Sequence, residues 1–117
     1  MMISRELEVS LGLALREAVR RHHEYLTLEH VLYALLHDDE VSEVVRHCGG
    51  NVERLKQEVD QYLQEKLEKL PQDQQSEPIQ TVGFRRVLHR AAMHVQNSGK
   101  EQIRGRDVLV AMFREPD

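Results

Sequence analysis

After Ser4, apolar residues recur as Leu7, Leu11, Ala14, Leu15 and Ala18. That spacing lays them along one stripe of an α-helix, with Ser4 as its N-cap and an end expected near His22 and His23. Thr27 is a good N-cap for a second helix. Its run V-L-Y-A-L-L, Val31 to Leu36, is apolar almost all round and so predicts a central, buried element. Asp38, Asp39 and Glu40 open a short third helix that Gly49 and Gly50 stop. Asn51 caps a fourth, which turns Val52, Leu55, Val59, Leu63, Leu67 and Leu70 toward the core. The stretch Pro71–Pro78 is polar, bounded by proline and without periodicity, which reads as a surface linker. A fifth helix carries Phe84, Val87, Leu88, Ala91, Ala92 and Val95 on one face and stops at Gly99. A sixth runs V-L-V-A-M-F, Val108 to Phe113.

The halves of this pattern coincide when the chain is shifted by 77 positions. Leu11 then meets Leu88, Ala14 meets Ala91 and Leu26 meets Ile103. Val31-Leu32 meets Val108-Leu109, Ala34 meets Ala111, and Leu35-Leu36 meets Met112-Phe113. The matches fall on the buried faces and on both interhelical turns, which marks an internal repeat. Neither half can bury its central helix alone. Packed about a pseudo-twofold axis they bury both, and each fully buried Leu or Val contributes roughly 1.5–3 kcal/mol. The expected architecture is one all-α domain over 1–117: repeat one at about 1–70, a linker at 71–80, and a partial repeat two at about 81–117. By the same offset Asp117 aligns with Glu40. The second repeat is therefore expected to be an incomplete copy, truncated after its second helix and lacking the helix pair that would cover part of its face. The alternative is a natural end here, with rearranged packing or a dimer covering that surface.

Composition adds limits to this picture. The chain has 117 residues, no Trp, few aromatics, six Gly and three Pro, so Leu, Val and Ala must build the core. A lone cysteine, Cys48, excludes an internal disulfide framework and fits a reducing compartment; packing, buried or half-buried, is its expected role. The N-terminus lacks the blocks of a signal peptide and no apolar run reaches membrane-spanning length, so a cytoplasmic protein without membrane contact is expected. Residues 1–78 hold nine Lys/Arg against sixteen Asp/Glu, whereas residues 79–117 hold seven against four. An acidic half joined to a basic half suggests a polarised surface for a protein partner and argues against nucleic acid, which calls for a continuous basic patch.

The segment H-H-E-Y-L-T-L-E-H-V-L-Y-A-L-L, His22 to Leu36, contains a T-x-E-H-x-L-x-x-L core. The segment F-R-R-V-L-H-R-A-A-M-H-V-Q-N-S-G, Phe84 to Gly99, ends in H-V-Q-x-S-G. With the opening E-L-E-V-S-L, Glu6 to Leu11, these resemble the N-terminal (Clp N) domain of ClpA-type protein unfoldases, and the resemblance runs over essentially the whole chain. It implies a non-catalytic docking domain for substrates and adaptors of an ATP-driven ring that feeds the peptidase ClpP, with a ClpS-like adaptor as partner. A ClpC- or ClpB-like domain, using other adaptors or binding unfolded segments directly, is the alternative. No G-x-x-x-x-G-K-[ST] phosphate loop is present, so no cofactor is expected in this domain and ATP with magnesium would belong to other parts of the parent. Carried over by position, the resemblance implies adaptor contacts at Glu24, Glu29, Thr81, Arg86 and Arg90.

Two of these candidates, Glu29 and Arg86, have a plainer reading. A carboxylate two residues past the Thr27 cap, such as Glu29, is favoured by the helix dipole by about 0.3–1 kcal/mol. Its repeat mate, however, is Arg106, so the architecture does not require an acid there. Arg86 could simply be solvated, or pair with the acidic half. The seven histidines do not form a zinc pattern: no H-E-x-x-H occurs and convergent ligands are missing, so no metal site is expected. His30 is read instead as satisfying backbone at its helix start.

Overall fold

A computed structural model describes residues 2–71, 73–74 and 76–115. The elements in order are β1 (Met2–Ile3), α1 (Arg5–Arg20), β2 (Tyr25–Leu26), α2 (Leu28–Leu35), α3 (Asp39–His47), α4 (Val52–Glu65), β3 (Ile79–Gln80), α5 (Val82–Asn97), β4 (Gln102–Ile103) and α6 (Gly105–Phe113). The fold is the expected helical double repeat. The 77-residue offset carries the bounds of α1 exactly onto those of α5, and Leu28, the first residue of α2, onto Gly105, the first of α6.

Caps set the helix starts. Ser4 Oγ accepts from the Leu7 amide at 3.1 Å, and its repeat mate Thr81 accepts from the Phe84 amide at the same distance. Asp38 caps α3 through the Val41 amide and Asn51 caps α4 through that of Arg54. At α2 the Thr27 N–H donates to His30 Nδ1 at 3.0 Å, the backbone role expected for this histidine. In the second repeat Asp107 does the same for the Arg104 N–H at 2.8 Å. The turn after α1 passes through a left-handed residue, His22 at φ 61°; its mate Gly99 has φ 74°. Only glycine takes that conformation without steric cost.

The halves exchange strands. β1 of repeat one pairs in parallel with β4 of repeat two (Met2↔Gln102), and β2 pairs in parallel with β3 (Tyr25↔Ile79). These two-residue ladders tie each interhelical turn to the entry of the other repeat's first helix. Between them lies the core, with Leu7, Ala14, Ala18, Val31 and Leu35 from one half meeting Phe84, Val87, Ala91, Val95 and Val108 from the other. A second cluster, Leu36, Val59 and Leu63, packs α4 onto α2.

The structure departs from the sequence-based expectations in several places. Cys48 is exposed: it is the C-cap of α3, just before the left-handed Gly49 (φ 86°), where the chain turns away from the core. Helix α4 ends at Glu65, so Leu67 and Leu70 lie beyond it, half-buried, and the Leu70 amide instead donates to the His22 carbonyl at 2.7 Å. In the sixth helix Val108, Leu109 and Ala111 are buried as expected, but Val110 is exposed and Phe113 is 80 % exposed, whereas its repeat mate Leu36 is fully buried. The reason is local: α4 covers Leu36, and among the described residues no helix follows α6.

Candidate functional site

The parallel pair β2–β3 brings the start of α2 beside the start of α5. A groove of about 480 Å³ opens there, and Glu29, Thr81 and Arg86 all line it. Its apolar surface comes from Leu28, Leu32 and Met112. Three of the five sequence-predicted residues therefore converge from segments far apart in the chain. Glu24 does not line the groove; it precedes β2, half-buried, and its carbonyl accepts from the Ile79 amide at 3.0 Å. Arg90 lies one turn beyond Arg86 on α5.

Thr81 is already committed: its hydroxyl caps α5 and its amide donates to the Leu26 carbonyl at 3.1 Å. Arg86 is not simply solvated, nor does it pair with the acidic half. Its Nη2 lies 2.7 Å from Glu115 Oε1, and Arg90 Nη1 lies 3.7 Å from Glu115 Oε2 while donating to the Arg114 carbonyl at 2.8 Å. Sequence reasoning missed Glu115. The pairing depends on how the chain turns after α6, which no periodicity reports.

The α1–α2 turn encloses a pair of buried histidines, His23 and His30. His23 Nδ1 and His30 Nε2 are 2.7 Å apart. Because the Thr27 N–H occupies His30 Nδ1, the His30 proton sits on Nε2 and is donated to His23. Burial, reinforced by His23 and Arg21, pulls the His30 pKa down to about 4. Burial likewise lowers that of His23, with the Leu63 carbonyl opposing. Beside them, Arg21 is buried between Glu17 and Asp60 and ties α4 to α1. The pair serves the turn; among the described residues no three His, Cys, Asp or Glu side chains gather as a metal site. No described helix is long and apolar enough to cross a membrane.

Around the pseudo-twofold axis a second groove of about 370 Å³ lies beside β1–β4, lined by Ser4, Glu6, Asp38 and Arg104 among others. These are the repeat mates of Thr81, Gly83, Glu115 and Thr27. The two grooves share a backbone frame and differ in charge: Arg86, on the first, has Val9 as its mate.

Two helical repeats that exchange strands and enclose a mixed-charge groove define the class as a duplicated helical repeat domain. The chain belongs to the Clp repeat N-terminal domain family, whose model matches residues 2–117. It is ClpA-like in sequence, being 39% identical over 113 residues to a ClpA homolog protein of Fuscovulum blasticum. That match covers 96% of this chain and 14% of the relative's length. Among solved structures it is similar to the Hsp104 N-terminal domain from Candida albicans (TM-score 0.83, 16% identity, covering 96% of this chain and 73% of that one). It is similar too to the N-domain of ClpV from Vibrio cholerae (TM-score 0.81, 20% identity, 96% and 66%). A further match is a complex of a ClpV N-domain with a VipB peptide (TM-score 0.78, 20% identity, 97% and 68%).

Proposed function

We propose that this chain is the docking domain of a ClpA-type unfoldase, receiving a ClpS-like adaptor and substrate proteins for a ring that unfolds them with ATP and magnesium and passes them to ClpP. The domain contributes no chemistry of its own. The observation that carries this reading is the convergence of Glu29, Thr81 and Arg86 on one groove between the repeats. The Glu29 carboxylate on the α2 side and the Arg86 guanidinium on the α5 side of the groove suit a polar partner of matching pattern, and such charges set orientation and association rate more than affinity. Glu24 and Arg90 extend that pattern at the margins. The apolar surface of Leu28, Leu32 and Met112 supports a second reading, direct capture of unfolded segments by a ClpC- or ClpB-like domain. The VipB peptide seen with a ClpV N-domain is a precedent for peptide binding on this fold.

The test is Glu24→Lys combined with Glu29→Lys. Reversing two rim charges should weaken ClpS binding by about 1–2 kcal/mol, each rim charge counting for up to about 1 kcal/mol, with helical content unchanged. A folded double variant that binds ClpS as the wild type does would refute adaptor docking through this groove. Loss of ClpS binding together with retained binding of an unfolded model protein would separate the two readings.

A further inference from the structure

The carboxylate of Glu115 is seated where repeat symmetry places a side chain that repeat two lacks. In repeat one the second residue of α1 is Glu6; its mate at the second position of α5 is Gly83. A Cβ built on Gly83 would lie 3.8 Å from Glu115 Oε1, so the Glu115 carboxylate lies against the first turn of α5, which has no acidic residue of its own. A negative group is favoured at a helix N-terminus. Two guanidinium groups, Arg86 and Arg90, reach the same carboxylate from further along α5. The Glu115 side chain is only 8 % exposed. Even so, its Oε2 is buried without a hydrogen bond among the described residues, and Arg90 at 3.7 Å is too far to supply one. A charged oxygen buried without a donor is costly. The contact is therefore a filled carboxylate site whose present occupant satisfies it incompletely.

We propose that Glu115 is an internal stand-in for a carboxylate of the docked partner: Arg86 and Arg90 hold Glu115 in the free domain and exchange it for an Asp or Glu side chain of the segment that enters the groove. This rests on the groove being the docking site. The occupant follows from the lining: an apolar side chain for Leu28, Leu32 and Met112, adjacent to a carboxylate for the arginines. A partner carboxylate that takes donors on both oxygens gains what Glu115 forgoes. Glu115 thus sets a threshold, so that segments lacking an acid cannot displace it.

The probe is the blocked dipeptide N-acetyl-leucyl-glutamic acid amide, titrated into the domain while the backbone amide resonances of the groove residues Leu32, Gly83 and Met112 are followed. In Glu115→Gln the apparent Kd should fall roughly two- to fivefold, the range of a half-exposed ion pair, and Arg86→Gln should abolish the response. The N-acetyl-leucyl-glutamine amide analogue should not shift these resonances. Equal Kd values for wild type and Glu115→Gln, or no response in either, would overturn the proposal. Glu115→Ala, with circular dichroism to check folding, guards against a substitution that acts through the helix end. The ClpS titration decides the docking reading independently. An adaptor that loses affinity in Arg86→Gln but ignores Glu115→Gln leaves docking intact and removes the role given to Glu115.

Discussion

Acidification should unfold this domain earlier than its carboxylates alone would require, because of the buried histidine pair. His30 is fully buried and its two ring nitrogens are engaged, one accepting from the Thr27 amide and one donating to His23. A further proton on His30 Nδ1 would displace the bond from the Thr27 N–H, and one on His23 Nδ1 would face the His30 Nε2–H. The charged groups nearby oppose one another, Arg21 disfavouring the proton and Glu17 favouring it, while Lys69 also disfavours it at His23. Burial decides the sign. The folded-state pKa of His30, about 4, lies below its ordinary 6.5, so the unfolded chain binds the proton first. The associated stability is fully present above pH 6.5 and is lost as pH falls toward 4. One proton over that interval amounts to about 3 kcal/mol, of which about 2 is gone by pH 5. Glu17, whose pKa its bond to Arg20 lowers from 4.5, adds its own loss only below about pH 4.5, outside the range from pH 7 to 5 in which His30 is read. Urea denaturation at pH 7, 6 and 5 reads this directly: with an m-value of about 2 kcal/mol per molar, the midpoint should drop by about 1 M. His30→Asn keeps an acceptor for the Thr27 amide but cannot titrate, so most of the pH slope should vanish in it. A midpoint flat from pH 7 to 5, or an unchanged slope in His30→Asn, would refute the reasoning.

Three further substitutions follow from the comparison of the repeats. Leu36→Ala removes a fully buried side chain from the α2–α4 cluster and should cost about 2–5 kcal/mol, whereas Phe113→Ala at the equivalent but exposed position should stay within about 0.5 kcal/mol; thermal melts of both variants check the contrast. His22→Gly relieves a left-handed residue at the turn that Gly99 makes without strain, and should raise stability by up to about 1 kcal/mol, measured in the same melts.

Several helix starts were legible because capping is local: Ser4, Asp38 and Asn51 act within three residues of themselves, whereas the cap at Thr81 was not read from the sequence. The repeat was legible because matching apolar faces recur at one offset. The strand exchange was not, since a two-residue ladder has no period to detect and its partner is set by the packing of the halves. Cys48 was misjudged because its neighbours are helical while its own position is a cap. At the site, Glu29, Thr81 and Arg86 came from resemblance. Their convergence follows from the β2–β3 pairing, and Arg86's partner Glu115 from the path of the chain after α6. Neither contact involves sequence neighbours, so neither leaves a local signal.

Docking at the groove between the repeats is tested most directly by titrating the isotope-labelled domain with unlabelled ClpS and mapping backbone amide shifts. The expected perturbations cluster on Glu24 to Leu32 and Thr81 to Arg90, with the mate groove around Ser4 and Arg104 unchanged. Shifts confined to the mate groove or to the exposed end of α6, or no shifts at saturating ClpS, would contradict it.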